Sequence, residues 1–494
     1  MEYTNFVNGQ WLPSQSGRRF EKRNPADTRD CIGLFPLSSA ADVAEAVAAA
    51  KAAYERWRLT PAPYRGELVR RAGDILSRRK EELARAMTRE MGKPLVEARG
   101  DVQEAIDTAY YAASEGRRLF GYTAPSELPN KVNLSFRMPV GVCGLITAWN
   151  FPIAVPSWKI FPALVAGNTI VWKPSEDSPW CANLLAEVLI EAGVPEGVFN
   201  VVHGDAEAGE ALVRHPDVRL IAFTGSTAVG RQIASLCGAL NKKCSLEMGG
   251  KNPLIILPDA PLELALEGVL WGAFGTSGQR CTATSRLILH RQIAETFLGQ
   301  LCERTQALRV GNGLREDVNL GPIINARQLQ RIEQYVQIGL QEGARLLVGG
   351  QRLTDGEYAY GFFFMPTIFT DVRPQMRIFR EEIFGPVLCV TVVDSLEEAI
   401  AVANDSEYGL SSSIYTRDIA AALRAIRDLE AGITYVNAPT IGAEAHMPFG
   451  GIKATGNGHR EGGWTVFDIF TEWKTVYIDY SGRLQRAQID IEGG

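Results

Sequence analysis

Between residues 39 and 119, apolar side chains recur at steps of three and four among charged ones. "SAADVAEAVAAAKAAYERW" and "YRGELVRRAGDILSRRKEELARAMTREM" show the pattern clearly. That period belongs to amphipathic helices, so this stretch predicts a helical run. The texture changes at 140. Short apolar runs, "VGVCGLITAW", "GNTIVWKPSE", "GVFNVVHG" and "VRLIAFTGS", alternate with helical stretches such as "CANLLAEVLIEAG". The alternation resumes after 250 in "NPLIILP", "SRLILH", "ARLLVGG" and "GPVLCVTVV", with "LEEAIAVAND" and "IAAALRAIRDLEAG" between. Buried strands alternating with helices predict βαβ units and parallel sheets, here as two α/β domains in succession. Two segments, "NKVNLSFRMPV" (130–140) and "TEWKTVYIDY" (471–480), alternate instead with period two. They predict edge strands, and paired arms at a subunit interface would cover them.

Length and charge narrow the field. A chain of 494 residues exceeds one core. Its net charge of −6 argues against nucleic acid or an anionic membrane as partner. The N-terminus lacks the apolar core of a secretory leader, and no apolar run approaches the about 20 residues that span a bilayer. Eight scattered cysteines predict reduced thiols and a cytoplasmic location, and five dispersed histidines predict no metal site.

The candidate chemistry comes in pieces. "LIAFTGSTAVG" (220–230) runs a strand into Gly225, Ser226 and Gly230 before a helix, a geometry that offers backbone N–H groups to a pyrophosphate. It is neither a G-x-G-x-x-G fingerprint nor a P-loop. In "VWKPSE", Pro174 stops a strand, so Lys173 and Glu176 project from the carboxyl end of the sheet. A carboxylate there suits the hydroxyls of an adenosine ribose, whereas Lys173 with Ser175 suits a 2′-phosphate. "REEIFGPV" adds Glu382 and Phe384. "ITAWNFP" ends a strand with Trp149 and Asn150, "SLEMGGKNP" sets Glu247 before two glycines, and "FGTSGQRCTATSR" carries Cys281. Thiol, carboxylate and amide donor are the parts of an acyl-transfer site. Singly, each motif has an ordinary structural reading.

Together, and in this order, "ITAWNFP", "VWKPSE", "FTGSTAVG", "LEMGGKNP", "GQRCT", "EEIFGPV" and "MPFGGIKATGNGHRE" resemble the aldehyde dehydrogenase superfamily from about residue 5 to about residue 480. The resemblance implies an α/β fold with a Rossmann-like cofactor domain (1–120 and 140–248), an α/β catalytic domain (249–452) and a β-strand oligomerisation arm (121–139 and 470–494). It implies a homodimer or homotetramer that oxidises an aldehyde to the acid with NAD, Ser175 leaving NADP open. Cys281 is then the nucleophile, Glu247 the base for thioester hydrolysis, and Asn150 an oxyanion donor. Trp149, Lys173, Ser175, Glu176, Gly225, Ser226, Gly230, Glu382 and Phe384 match cofactor positions, and Lys159 a supporting one.

Phe151, Val155, Trp158, Arg280, Thr282, Gly442 and Phe449 would line the substrate tunnel. A narrower likeness is to the α-aminoadipic semialdehyde (antiquitin) branch, through "GKPLVEARGDVQEAIDTAYYA", "GQRCT" and Gly-Ala-Glu at 442–444. There Arg280 and Glu104 would grip the amino-acid end of the substrate. "AHMPFGG" departs from that branch, so other carboxylated semialdehydes and simple aliphatic or aromatic aldehydes stay open, as does a salt bridge for Arg280. A CoA-acylating enzyme would lack the base at 247. A phosphorylating glyceraldehyde-3-phosphate dehydrogenase does not resemble this catalytic set. A non-enzymatic protein on the same fold would not need it.

Overall fold

The computed structural model describes residues 1–491. Helices run in chain order as α1 Ala40–Trp57, α2 Ala62–Arg78, α3 Lys80–Met91, α4 Leu95–Glu115, α5 Ala154–Ala166, α6 Pro179–Glu191, α7 Ala206–Arg214 and α8 Thr227–Ala239. Then come α9 Leu262–Phe274, α10 Arg291–Gln306 and α11 Ala326–Gln341. The 39–119 helical run is thus four helices, α1 to α4.

Two seven-stranded sheets carry the molecule. The first orders Lys243–Glu247, Val218–Thr224, Val142–Ile146, Thr169–Lys173 and Phe199–Val201 as parallel neighbours, and closes with Asn5–Val7 and Gln10–Leu12 antiparallel. Buried residues of α2 to α6 and of Val466–Phe470 form the core on one side, and those of α1, α7 and α8 form a second core. The order reverses beside Val142–Ile146, which makes the crevice at the carboxyl edge a topological switch point. The second sheet orders Arg345–Val348, Thr367–Thr370, Val387–Val393, Thr284–His290, Asn252–Ile256, Ser411–Tyr415 and Ile433–Val436, parallel except for its first pair.

The carboxyl edge of the first sheet faces the amino edge of the second. Asn150, Lys173, Ser226 and Glu247 follow or end strands of the first sheet, while Cys281 and Phe384 precede strands of the second. Asn150 Nδ2 closes the gap by donating to the Gln279 carbonyl at 3.1 Å.

The two period-two segments pair with each other. Thr471–Asp479 runs antiparallel to Lys131–Pro139 along nine residue pairs, with Thr123–Pro125 on the other flank. Arg137 lies 4.3 Å over the Trp473 ring and is ion-paired to Asp468 at 2.7 Å. The following tail turns back on its own chain, Gln485 donating to the Pro129 carbonyl at 2.8 Å. Of the expected arm, residues 492–494 lie outside the described residues.

Candidate active site

The cysteine turn is held from several directions. After α9, Thr276, Ser277 and Gly278 take φ of 52°, 54° and 68°, which is costly for a β-branched threonine. The carboxylate of Glu97 accepts the Thr276 N–H at 3.0 Å and the Thr276 hydroxyl as well. Ser277 donates to the Gly321 carbonyl at 2.7 Å, and Gln279 accepts from the Ile324 N–H at 3.0 Å. Gly278 has to be glycine, since a Cβ there would lie 2.2 Å from the Gly385 oxygen.

Beyond the turn, Pro253 leaves the parallel ladder without a donor, and its register shifts at Asn252. The Asn252 side chain steps in: Nδ2 donates to the carbonyls of Cys281 (2.8 Å) and Ala283 (2.9 Å), and Oδ1 accepts from the Ser411 N–H (3.0 Å). Asn252 therefore fixes the backbone at Cys281, a role the motif reading missed. Burial pushes the Cys281 thiol up to about 12, with the charges of Glu382 and Glu247 adding to the rise.

Glu247 ends its strand 4% exposed, and neither carboxylate oxygen has a hydrogen-bond partner. Burial holds its carboxyl well above the ordinary range, reinforced by Glu461 and opposed by Lys159 and Arg460. Gly450 lets it in, since a Cβ there would sit 2.7 Å from Glu247 Oε1. Lys159, on α5, pairs with Glu461, so two buried carboxylates face one ammonium. Asn150 is also buried and spends one amide hydrogen on Gln279, leaving the other to donate.

The expected cofactor residues gather at the same edge. Ser226 accepts from the Val229 N–H at 3.4 Å and caps α8, and the Gly225 N–H donates to the Glu247 carbonyl at 3.1 Å. A Cβ at Gly230 would lie 2.3 Å from the Met248 sulfur, so glycine permits the close helix-to-strand approach. Lys173 stands 3.4 Å from Glu176, and the Ser175 hydroxyl accepts from the Asp177 N–H at 3.2 Å. Across the crevice, half-buried Glu382 accepts from the Gly250 N–H at 3.0 Å, and the desolvation it does suffer raises its carboxyl. Phe384, strained at φ 61°, meets the edge of Trp149 at 5.6 Å. A helix N-terminus flanked by two acidic side chains fits a dinucleotide.

Around the thiol, the structure places the expected tunnel residues unevenly. Trp158 and Phe449 meet edge to face at 5.2 Å, and the Trp158 Nε1 is buried without a partner. Phe151 has the Lys93 ammonium 3.8 Å from its ring centre, and Val155 is half-buried on the first turn of α5. The Thr282 carbonyl accepts from the Thr440 hydroxyl at 2.7 Å. Gly442 lies on an exposed loop, with open space where a Cβ would stand.

Arg280 is engaged from within: Nη2 pairs with Glu97 at 2.6 Å and Nε donates to the Thr276 hydroxyl at 2.9 Å. The salt-bridge reading of Arg280 is therefore present in the structure. Glu97, Asp101 and Glu104 follow one another at helical spacing on α4. Asp101 pairs with Lys93 at 2.7 Å in full burial. Burial, then the Asp101 charge, push the Glu104 carboxyl up to about 8, against Lys93 and Arg280.

Among the described residues no group of His, Cys, Asp and Glu could hold a metal ion, and no helix is long and apolar enough to cross a membrane. All eight cysteines are free thiols.

Fold and site define a dinucleotide-dependent enzyme class with a cysteine and a buried carboxylate at its centre. The chain belongs to the aldehyde dehydrogenase family, whose model matches residues 11–476. It is 45% identical over 478 residues to an alpha-ketoglutaric semialdehyde dehydrogenase of Bacillus subtilis, covering 96% of this chain and 98% of that one. It is 42% identical over 479 residues to an alpha-ketoglutarate semialdehyde dehydrogenase of Haloferax volcanii, covering 96% and 99%. A solved NAD-dependent aldehyde dehydrogenase from Sinorhizobium meliloti superposes with a TM-score of 0.95 at 36% identity, covering 99% of this chain and 96% of that one. A betaine aldehyde dehydrogenase from Staphylococcus aureus, solved with NAD+, gives 0.95 at 33% identity, with 98% and 95% covered.

Proposed function

We propose that the protein oxidises a carboxylated semialdehyde, alpha-ketoglutarate semialdehyde, to the dicarboxylic acid with NAD as acceptor. The observation that carries the reaction type is Glu247, a buried carboxylate at the end of its strand with no hydrogen-bond partner for either oxygen.

The Cys281 thiol gives up its proton to solvent, its sulfur adds to the aldehyde carbon, and the oxyanion that forms is held by the free amide hydrogen of Asn150 and the Cys281 N–H. Such donors act strongly because the site fixes them before the charge develops. NAD, when bound, supplies the acceptor for the hydride that leaves that carbon. The resulting thioester is opened by a water whose proton goes to Glu247. The acid departs and the Cys281 sulfur is released. Lys173 and Glu176 would hold the adenosine ribose, Gly225, Ser226 and Gly230 the phosphates, and Glu382 the other ribose, with Trp149 and Phe384 beside it.

For the substrate, two relatives above 40% identity carry the semialdehyde name, and Arg280 supplies a guanidinium beside the nucleophile. Burial raises the Glu104 carboxyl to about 8, and an ammonium group bound beside it would pull that value back down, so an amino-acid semialdehyde belongs in the test. A panel of alpha-ketoglutarate semialdehyde, aminoadipic semialdehyde, hexanal and benzaldehyde, each with NAD and NADP, tests the reading. The highest kcat/KM is expected for the first with NAD. A preference for the neutral aldehydes would replace it with a broad-specificity enzyme.

The same reading divides the chain into a cofactor domain (1–120 and 140–248), a catalytic domain (249–452) and an oligomerisation arm (121–139 and 470–494). It makes the protein a cytoplasmic homo-oligomer.

A further inference from the structure

Asp177 stands one residue beyond Glu176, and its carboxylate is one of the points where the two halves of the molecule touch. Asn325 donates to it from Nδ2 at 3.0 Å. The Oδ1 of the same side chain accepts from the Gln328 N–H at 2.9 Å and caps α11. Further along α11, Gln328 Nε2 donates to the carbonyls of Ile383 and Phe384, both at 2.9 Å, and Arg331 donates to the Glu382 carbonyl at 2.6 Å. One helix end thus grips the loop carrying Glu382 and, through Asn325, the loop carrying Glu176.

The far loop is braced from beneath as well. Glu90, fully buried on α3, accepts the N–H groups of Trp180 (2.6 Å) and Cys181 (2.8 Å). The buried Lys22 ammonium faces the charges of Asp177 and Glu90. The 173–181 segment therefore has a rigid anchor, and the hydrogen bond that ties it to the cap of α11 is the one from Asn325.

We propose that Asn325 is a positioning residue for the cofactor, setting the spacing between the loop 173–177 and the loop 382–384. The proposal rests on the reading of those loops as the two ribose-binding sides of the dinucleotide site. A dinucleotide that bridges two bodies binds well only when both sides are presented at one spacing, and any other spacing costs part of the affinity. Asparagine fits the position because it must accept from a helix N–H and donate to a carboxylate at once. Aspartate would cap α11 but repel Asp177, and serine would cap α11 without the reach.

Asn325→Ser keeps the cap and removes the donor. Its KM for NAD and its dissociation constant for NADH, read by fluorescence titration, should rise about tenfold, the lower end for one lost hydrogen bond to a charged group. The aldehyde KM, the kcat at saturating NAD and the thermal midpoint should stay near the wild-type values. Asn325→Asp and Asp177→Asn should each weaken NADH binding, and the double swap, which reverses donor and acceptor across one contact, should restore it. Wild-type NADH affinity in Asn325→Ser, or a swap no better than the singles, overturns the proposal. Glu382→Ala and Glu176→Ala serve as controls. If they too leave NADH affinity unchanged, the reading of the cofactor site has failed instead.

Discussion

Glu247 keeps both carboxylate oxygens free of hydrogen bonds inside the protein, an arrangement expensive enough that a packing role alone does not explain it. A carboxylate with an elevated pKa suits a general base working near neutral pH. Glu247→Gln should leave the first turnover intact, giving a stopped-flow burst of NADH. The steady rate after it should be lower by about 100- to 10,000-fold, the usual contribution of a general base. A missing burst would assign Glu247 to thiol activation. The sign of the pH dependence follows from the same shift. Base action needs the deprotonated form, and a raised pKa delays that form to higher pH. Steady-state turnover limited by deacylation should therefore climb with pH over a range displaced upward from that of an ordinary carboxylate, and the Gln variant should lose that climb. Cys281→Ser should abolish aldehyde oxidation while NADH titration still shows binding, because an alcohol is a far weaker nucleophile than a thiol. Near-normal turnover would remove Cys281 from the nucleophile role.

At the level of elements, α4 carries more of the site than its sequence suggested. Its amphipathic period was legible, and so was Glu104. Glu97 was not, because its partners Thr276 and Arg280 lie 179 and 183 residues away. Helix–strand alternation and the motifs that end or precede strands could be read locally, whereas the order of strands in each sheet could not. Contacts such as Lys159 with Glu461, 302 residues apart, and the Asn252 grip on the Cys281 carbonyl come only from folding. Glu97 now links two effects that can be separated. Glu97→Gln weakens charge-assisted bonds to the strained Thr276 turn and to Arg280, and should cost about 1–3 kcal/mol of stability in denaturant unfolding. Arg280→Ala removes the guanidinium that the proposed function assigns to the substrate carboxylate, and should lower kcat/KM for a carboxylated semialdehyde about tenfold to a hundredfold. Hexanal should be nearly unaffected. Equal losses on both aldehydes would make Arg280 purely a partner of Glu97.

At the scale of the whole molecule, the arm presents a surface that a single chain leaves uncovered. Side chains on opposed strand residues point the same way, so the register puts Ile478 beside Val132 and Val476 beside Leu134. With Phe136 and Met138 on the same strand face, they make one apolar stripe. Four of its six members are exposed, Phe136 at 49% and Ile478 at 47%. Contiguous apolar surface of that kind marks an interaction face, and flanking edge strands add unpaired backbone groups beside it. A homo-oligomer joined through this sheet would bury the stripe. Phe136→Glu with Ile478→Glu places two negative charges where such an interface would be driest. Sedimentation velocity should then show a smaller species than the wild type at equal concentration. The catalytic parts lie on the two large sheets, so the burst of NADH per active site should persist in the smaller species. A wild-type protein that already sediments as a monomer, or a variant of unchanged mass, would show that the stripe does not hold copies of the chain together.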